Sequence, residues 1–97
     1  MERLCFVLEV NEGEEERYDR VHQQMPPEVR QALLECGYEN YTIFRHGNLV
    51  IGYSECEPDV ETVLARQRSS PVFAEWATAM TGVAKKGLEV LEPVWRL

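Results

Sequence analysis

Two β-rich runs, residues 38–45 and 49–57, flank the short turn His46-Gly47-Asn48 in the middle of the chain. A Gly-Asn turn between such runs predicts a β-hairpin. What flanks the hairpin then fixes the architecture. Ahead of it lie an apolar run over residues 3–10, a helical stretch over 12–24 and a second helical piece over 27–36. Behind it come helical spacing over residues 59–68, with Val60, Val63 and Leu64 on one face, a further helix from Pro71 and a closing apolar run over 88–95. The order is β-α-β-β-α-β, an α+β arrangement of the ferredoxin-like, split βαβ kind. At 97 residues one domain over positions 1–97 is expected.

Local signals set the element ends. Asn11 followed three residues later by Glu14 resembles a capping box, and Glu14-Glu15-Glu16 suits a helix N-terminus. Pro26-Pro27 must break the helical stretch, because each proline removes a donor and clashes with the carbonyl four residues back. Pro27 suits the first turn of a new helix and Gly37 its C-terminal cap. Ser70 and Pro71 repeat the start signal further on. The first strand is apolar on both faces, which predicts burial on both sides of a sheet.

Charge and cysteine usage remove whole classes of function. Ten Lys and Arg stand against 17 Asp and Glu, a formal charge of −7, and no basic cluster exceeds Lys85-Lys86. Binding to nucleic acid or to an anionic membrane is not expected. Three cysteines at wide spacing, Cys5, Cys36 and Cys56, fit neither a disulfide framework nor a zinc site and read as reduced, small hydrophobes. The opening residues lack a basic signal-peptide region, and no run approaches the ~18 apolar residues of a membrane helix. A soluble, cytoplasmic protein is expected. A chain this short builds only a modest core, which makes self-association an expectation. No GxGxxG, P-loop, GxSxG or HExxH motif occurs.

Against this background His22 stands out. Tyr18, Val21, His22 and Met25 follow helical spacing, so an imidazole falls within an apolar stripe one turn after Tyr18. One reading is a core histidine satisfied by a backbone carbonyl or a tyrosine hydroxyl. The other is a general acid/base, since histidine titrates near neutral pH. Two features tilt towards chemistry. His22 directly precedes the proline break, where its carbonyl loses its helical partner, and Asn40-Tyr41 places an amide and a hydroxyl on a mostly apolar strand. Trp76 follows Val72 and Phe73 on the face that continues to Met80, and an aromatic face suits the C–H face of a sugar. Trp95 reads as a packing or interface residue and His46 as solvated. With these two histidines far apart in the pattern, no metal site is expected.

The ordered set of residues resembles the L-rhamnose mutarotase family over nearly the whole chain. It comprises the opening strand into Val10-Asn11, Tyr18-x-x-x-His22, Pro27-Glu28, Gly37 with Asn40-Tyr41, Trp76 followed by Met80, and Glu92-Pro93-Val94-Trp95. The resemblance implies a dimeric α/β barrel formed by two ferredoxin-like sheets. It also implies interconversion of the α and β anomers of a 6-deoxy sugar, with neither metal nor organic cofactor. Carried over by position, His22 would be the catalytic acid/base, while Tyr18, Tyr41 and Trp76 would contact the monosaccharide. Two positions depart from the family pattern. Pro26 stands where the family often has tryptophan, and Trp76-Ala77 replaces two adjacent tryptophans, which would enlarge or reshape the pocket. Two other readings use the same residues: a non-catalytic binding or dimerisation module, and a small monooxygenase-like enzyme.

Overall fold

Strand β1 (Glu2–Glu9) lies inside a four-stranded antiparallel sheet, between β3 (Leu49–Cys56) and the short β4 (Glu89–Val90), with β2 (Tyr38–His46) beyond β3. The computed structural model describes residues 1–85 and 87–97. Between β1 and β2 run α1 (Glu15–Gln23) and α2 (Pro27–Cys36); between β3 and β4 run α3 (Val60–Arg68), α4 (Pro71–Ala77) and a 3₁₀ turn, Thr78–Met80. Strand order and connections are those of the expected ferredoxin-like α+β fold. Among the described residues no helix is long and apolar enough to cross a membrane.

The helices pack on one side of the sheet. Alternation along each strand sends Leu4, Phe6, Val50, Ser54 and Cys56 to that side, where they are buried with Tyr18, Cys36, Tyr38, Val63 and Val83. The core divides into two clusters. Leu4, Phe6, Cys36, Tyr38, Cys56 and Val63 form one, and Val10, Tyr18, Val50 and Val83 form the other. Opposite-parity residues, among them Cys5, Val7, Phe44, Ile51 and Tyr53, face away from both clusters. The expectation that β1 is covered on both faces therefore holds, within this chain, for one face alone.

Several start and stop signals act as predicted. The proline pair separates α1 from α2, Pro27 opens α2, and Gly37 ends it at φ 112°, a left-handed conformation that glycine adopts without a β-carbon clash. Ser70 caps α4 by accepting from the Phe73 amide at 3.2 Å, and Asp59, expected as the first residue of the helical stretch, caps α3 by accepting from the Thr62 amide at 2.7 Å.

Three expectations are corrected. Asn11 does not cap α1, which starts at Glu15 behind Glu14 with no side-chain cap; its amide instead donates to the Gly82 carbonyl at 3.0 Å. The last helix is shorter than its apolar spacing suggested, because the chain tightens to a 3₁₀ turn after Ala77. The closing strand reduces to Glu89–Val90, and the apolar residues beyond it, Val94, Trp95 and Leu97, are exposed. Of the loop expected over positions 85–87, Lys86 lies outside the described residues, while Lys85 bonds to Glu9 through backbone and side chain at 2.8 and 2.9 Å. All three cysteines are free, with Cys36 and Cys56 buried.

Phe6 pairs with Gly52 across β1 and β3, and a β-carbon at position 52 would lie 2.2 Å from the Phe6 ring. Gly52→Ala is expected to lower unfolding stability by about 1–3 kcal/mol through overpacking. A urea midpoint unchanged from wild type would show that Phe6 is free to move.

Candidate active site

Between the sheet and helices α1, α2 and α4 lies a cavity of about 580 Å³. That falls within the ~300–1,000 Å³ common for small-molecule sites. Tyr18, His22, Tyr41 and Trp76, the four residues singled out in the sequence, all line it. Phe6 and Leu8 reach it from β1, and Ala77 leaves space beside Trp76. Trp95 and His46 are exposed and belong to no part of it.

Helical spacing sets the first wall. The His22 ring packs on Tyr18 with centroids 4.3 Å apart and meets Trp76 edge-to-face at 5.2 Å and 89°. Phe73 backs Trp76 at 5.6 Å. Nδ1 of His22 lies 2.9 Å from the Tyr18 carbonyl oxygen. A carbonyl can only accept, so Nδ1 carries the proton and Nε2 is left with its lone pair. The two sequence readings of this histidine each describe one nitrogen. The expected loss of a partner at the His22 carbonyl does not occur, because the Met25 amide reaches it at 3.2 Å.

Burial is the main influence on His22 and lowers its pKa from 6.5; the Tyr18 carbonyl and the Asp19 carboxylate pull the other way. Asp19 is itself engaged by Arg45 through two bonds of 2.7 Å, a forked ion pair that ties α1 to β2. That bond holds the Asp19 carboxyl below its usual range. Burial pushes the Tyr18 hydroxyl up to about 12, with Asp19 adding to the effect, and raises Tyr41 as well. Both phenols therefore stay protonated near neutral pH.

The second wall depends on an irregularity in β2. The pairing of β2 with β3 shifts between Glu39 and Thr42, so Asn40 and Tyr41 together oppose Ser54. This is a β-bulge, and it changes which face later side chains take. Tyr38 and Tyr41, three residues apart, would point to opposite faces of a regular strand; here they stack at 4.8 Å on the same face. Asn40 makes the bulge possible with φ 50°, a region that asparagine tolerates better than most residues, and its amide donates to Glu55 at 2.8 Å. Tyr41 then meets Phe6 edge-on at 6.3 Å.

Sequence reasoning missed Tyr38, Gln67, Met25 and Arg30, which also line the cavity. Tyr38 donates a hydrogen bond to the Gln67 side-chain oxygen. An asparagine followed by a tyrosine at a strand irregularity was the only available hint that Tyr38 and Tyr41 share a face. Among the described residues no three His, Cys, Asp or Glu side chains gather as a metal site requires.

Fold and cavity together define a ferredoxin-like α+β protein with an aromatic-lined cavity of small-molecule size, the His22 imidazole in its wall. The sequence profile of the L-rhamnose mutarotase family matches residues 3–97, and the chain belongs to that family. An L-rhamnose mutarotase of Lachnoclostridium phytofermentans is 34% identical over 61 residues, 61% of this chain and 59% of the relative. The chain thus aligns with about three-fifths of that relative's length. The crystal structure of an L-rhamnose mutarotase from Formosa agariphila superposes with a TM-score of 0.84 at 23% identity, covering 100% of this chain and 99% of the other. The tetracenomycin F2 cyclase of Streptomyces glaucescens, a type-II polyketide cyclase, follows with a TM-score of 0.74 at 19% identity, covering 100% and 97%. At those identities the two structures speak for the fold.

Proposed function

We propose that the protein is an aldose mutarotase acting on a 6-deoxy sugar, L-rhamnose first among them, with His22 as the catalytic acid/base. The observation that carries this reading is the arrangement of His22. Nδ1 is committed to a carbonyl, while Nε2 makes no hydrogen bond among the described residues and belongs to a cavity wall of aromatic rings. Family membership supplies the reaction class. Trp76 offers a face for the C–H side of a pyranose, and the Tyr18 and Tyr41 hydroxyls supply polar contacts.

In the reaction Nε2 of His22 takes the proton from the anomeric hydroxyl. The electron pair of that O–H bond forms the carbonyl as the bond from the anomeric carbon to the ring oxygen breaks. The ring oxygen leaves as a hydroxyl, taking a proton from a tyrosine hydroxyl or bound water. Rotation of the aldehyde and the reverse steps on its other face give the opposite anomer and return both protons. No electron is gained or lost, so the sequence closes without an oxidant. Neutral histidine is the competent form, and burial favours it.

A homodimer is part of the same proposal. Phe44, Ile51 and Val7 stand side by side across β2, β3 and β1 on the face that no helix covers, and Phe44 is 62% exposed. A second copy laid face to face would bury this apolar row, as sheets do when they pack. The three free thiols suit the reducing cytoplasm.

Proton NMR saturation transfer between the anomers of L-rhamnose, with L-fucose beside it, is expected to reveal exchange with wild type. His22→Ala is expected to lose on the order of 10²–10⁴-fold in rate while keeping its fold. Absence of exchange with every aldose would overturn the reading. Because the His22 pKa lies below 6.5, kcat/KM is expected to rise with pH through a midpoint under that value and to stay level above it. A rate that falls as pH climbs past 6.5 would assign the protonated form instead. In light scattering the wild type should elute at twice the 11.2 kDa of the chain and Phe44→Glu at 11.2 kDa; a monomeric wild type would end the dimer proposal.

A further inference from the structure

Tyr38 and Gln67 form a polar pair in a cavity whose other walls are mostly apolar. Gln67 occupies the last turn of α3, a helix that turns Val60, Val63 and Leu64 towards the core. A carboxamide placed there loses hydration unless its groups find partners. Its oxygen has one: the Tyr38 hydroxyl donates to it, and Tyr38 is 3% exposed, stacked on Tyr41 and packed with Phe6, Cys36 and Val63. That bond fixes how the amide is turned. Among the described residues the two N–H donors on Nε2 meet no hydrogen-bond acceptor, and Gln67 and Tyr38 both line the cavity.

The pair is complementary to an alcohol. Nε2 can donate to a hydroxyl oxygen, and the Tyr38 oxygen, its own proton spent on Gln67, retains lone pairs that accept a hydroxyl proton. A methyl group or a bare C–H would leave these groups unmatched, which costs affinity. Position adds direction. Tyr38 belongs to the core cluster at the Cys56 end of β3, whereas Tyr18, beside His22, belongs to the cluster at the Val50 end. The two thus lie on different walls of one cavity.

We propose that Gln67, held by Tyr38, is a specificity-determining residue that recognises a ring hydroxyl at carbon 3 or carbon 4, the edge of the sugar opposite the anomeric carbon. This rests on the mutarotase reading, which seats the anomeric carbon at His22. Gln67 selects the sugar and Tyr38 is its positioning residue. The pair takes no part in moving protons.

The test is polarimetry of freshly dissolved single anomers, giving kcat and KM for wild type, Gln67→Leu and Tyr38→Phe. Each is assayed on the sugar that wild type turns over and on its 3-deoxy and 4-deoxy analogues. Gln67→Leu is expected to raise KM for the parent sugar about tenfold, with kcat within twofold of wild type. Tyr38→Phe, which keeps the ring stacked on Tyr41, should move KM in the same direction by less. On one of the two deoxy analogues the difference between wild type and Gln67→Leu should vanish, because the hydroxyl being read is gone. A KM unchanged in Gln67→Leu would overturn the inference. So would a rise of equal size on all three sugars, which marks a merely structural role. If wild type turns over no aldose, the mutarotase reading falls and this one with it. If wild type is active and Gln67→Leu is indifferent, this one alone falls.

Discussion

The cavity depends on one close approach, that of the Phe6 ring to Gly52. The two residues are cross-strand partners, and the ring occupies the space that a β-carbon at position 52 would need. With no side chain beneath it, Phe6 can lie low against the sheet and leave the volume above it open. It also supplies the surface that Tyr41 meets edge-on, and Tyr41 in turn supports Tyr38. A larger residue at position 52 would drive Phe6 upward into the site. The second wall, with Gln67 behind it, would then lose its support.

On the opposite wall a single side chain serves two ends. Bonding to the carbonyl one turn back is what a satisfied interior histidine does, and here it also fixes the tautomer. The proton goes to Nδ1, so the basic nitrogen is the one left in the cavity. Asp19 is near enough to draw the His22 pKa upward, yet its carboxylate is shared with Arg45 across the junction of α1 and β2. Burial outweighs it, and the imidazole is kept neutral.

Most of the element order was legible because proline, glycine and capping residues act locally. Pro26-Pro27, Gly37 and Ser70 each do in the structure what their chemistry dictates. Asn11 misled because its amide finds a partner 71 residues away, at the Gly82 carbonyl, a contact no local pattern encodes. The closing strand was overextended for a related reason. Apolar composition over residues 88–95 is compatible with pairing, but among the described residues the ladder on β1 takes in Glu89 and Val90, and one further backbone bond, from the Leu91 amide to the Cys5 carbonyl at 2.8 Å, ends it. In the site, His22, Tyr18 and Trp76 were legible from helical spacing, which survives folding intact. Tyr38 and Gln67 were not. Their meeting is a tertiary bond spanning 29 residues, and Tyr41 joins Tyr38 on that wall through a bulge that reverses strand parity.

Helix α4 contributes Phe73, Trp76 and Ala77 to the cavity and yet contains no buried residue. The sheet-side floor, by contrast, is made from the residues that hold the core together. What the pocket accepts and what keeps the chain folded are thus written largely in different segments. Side chains on the roof can be exchanged at small energetic cost to the whole, whereas changes to the floor disturb both. That separation leaves such a scaffold free to drift from one ligand to another over evolutionary time while its architecture stays fixed.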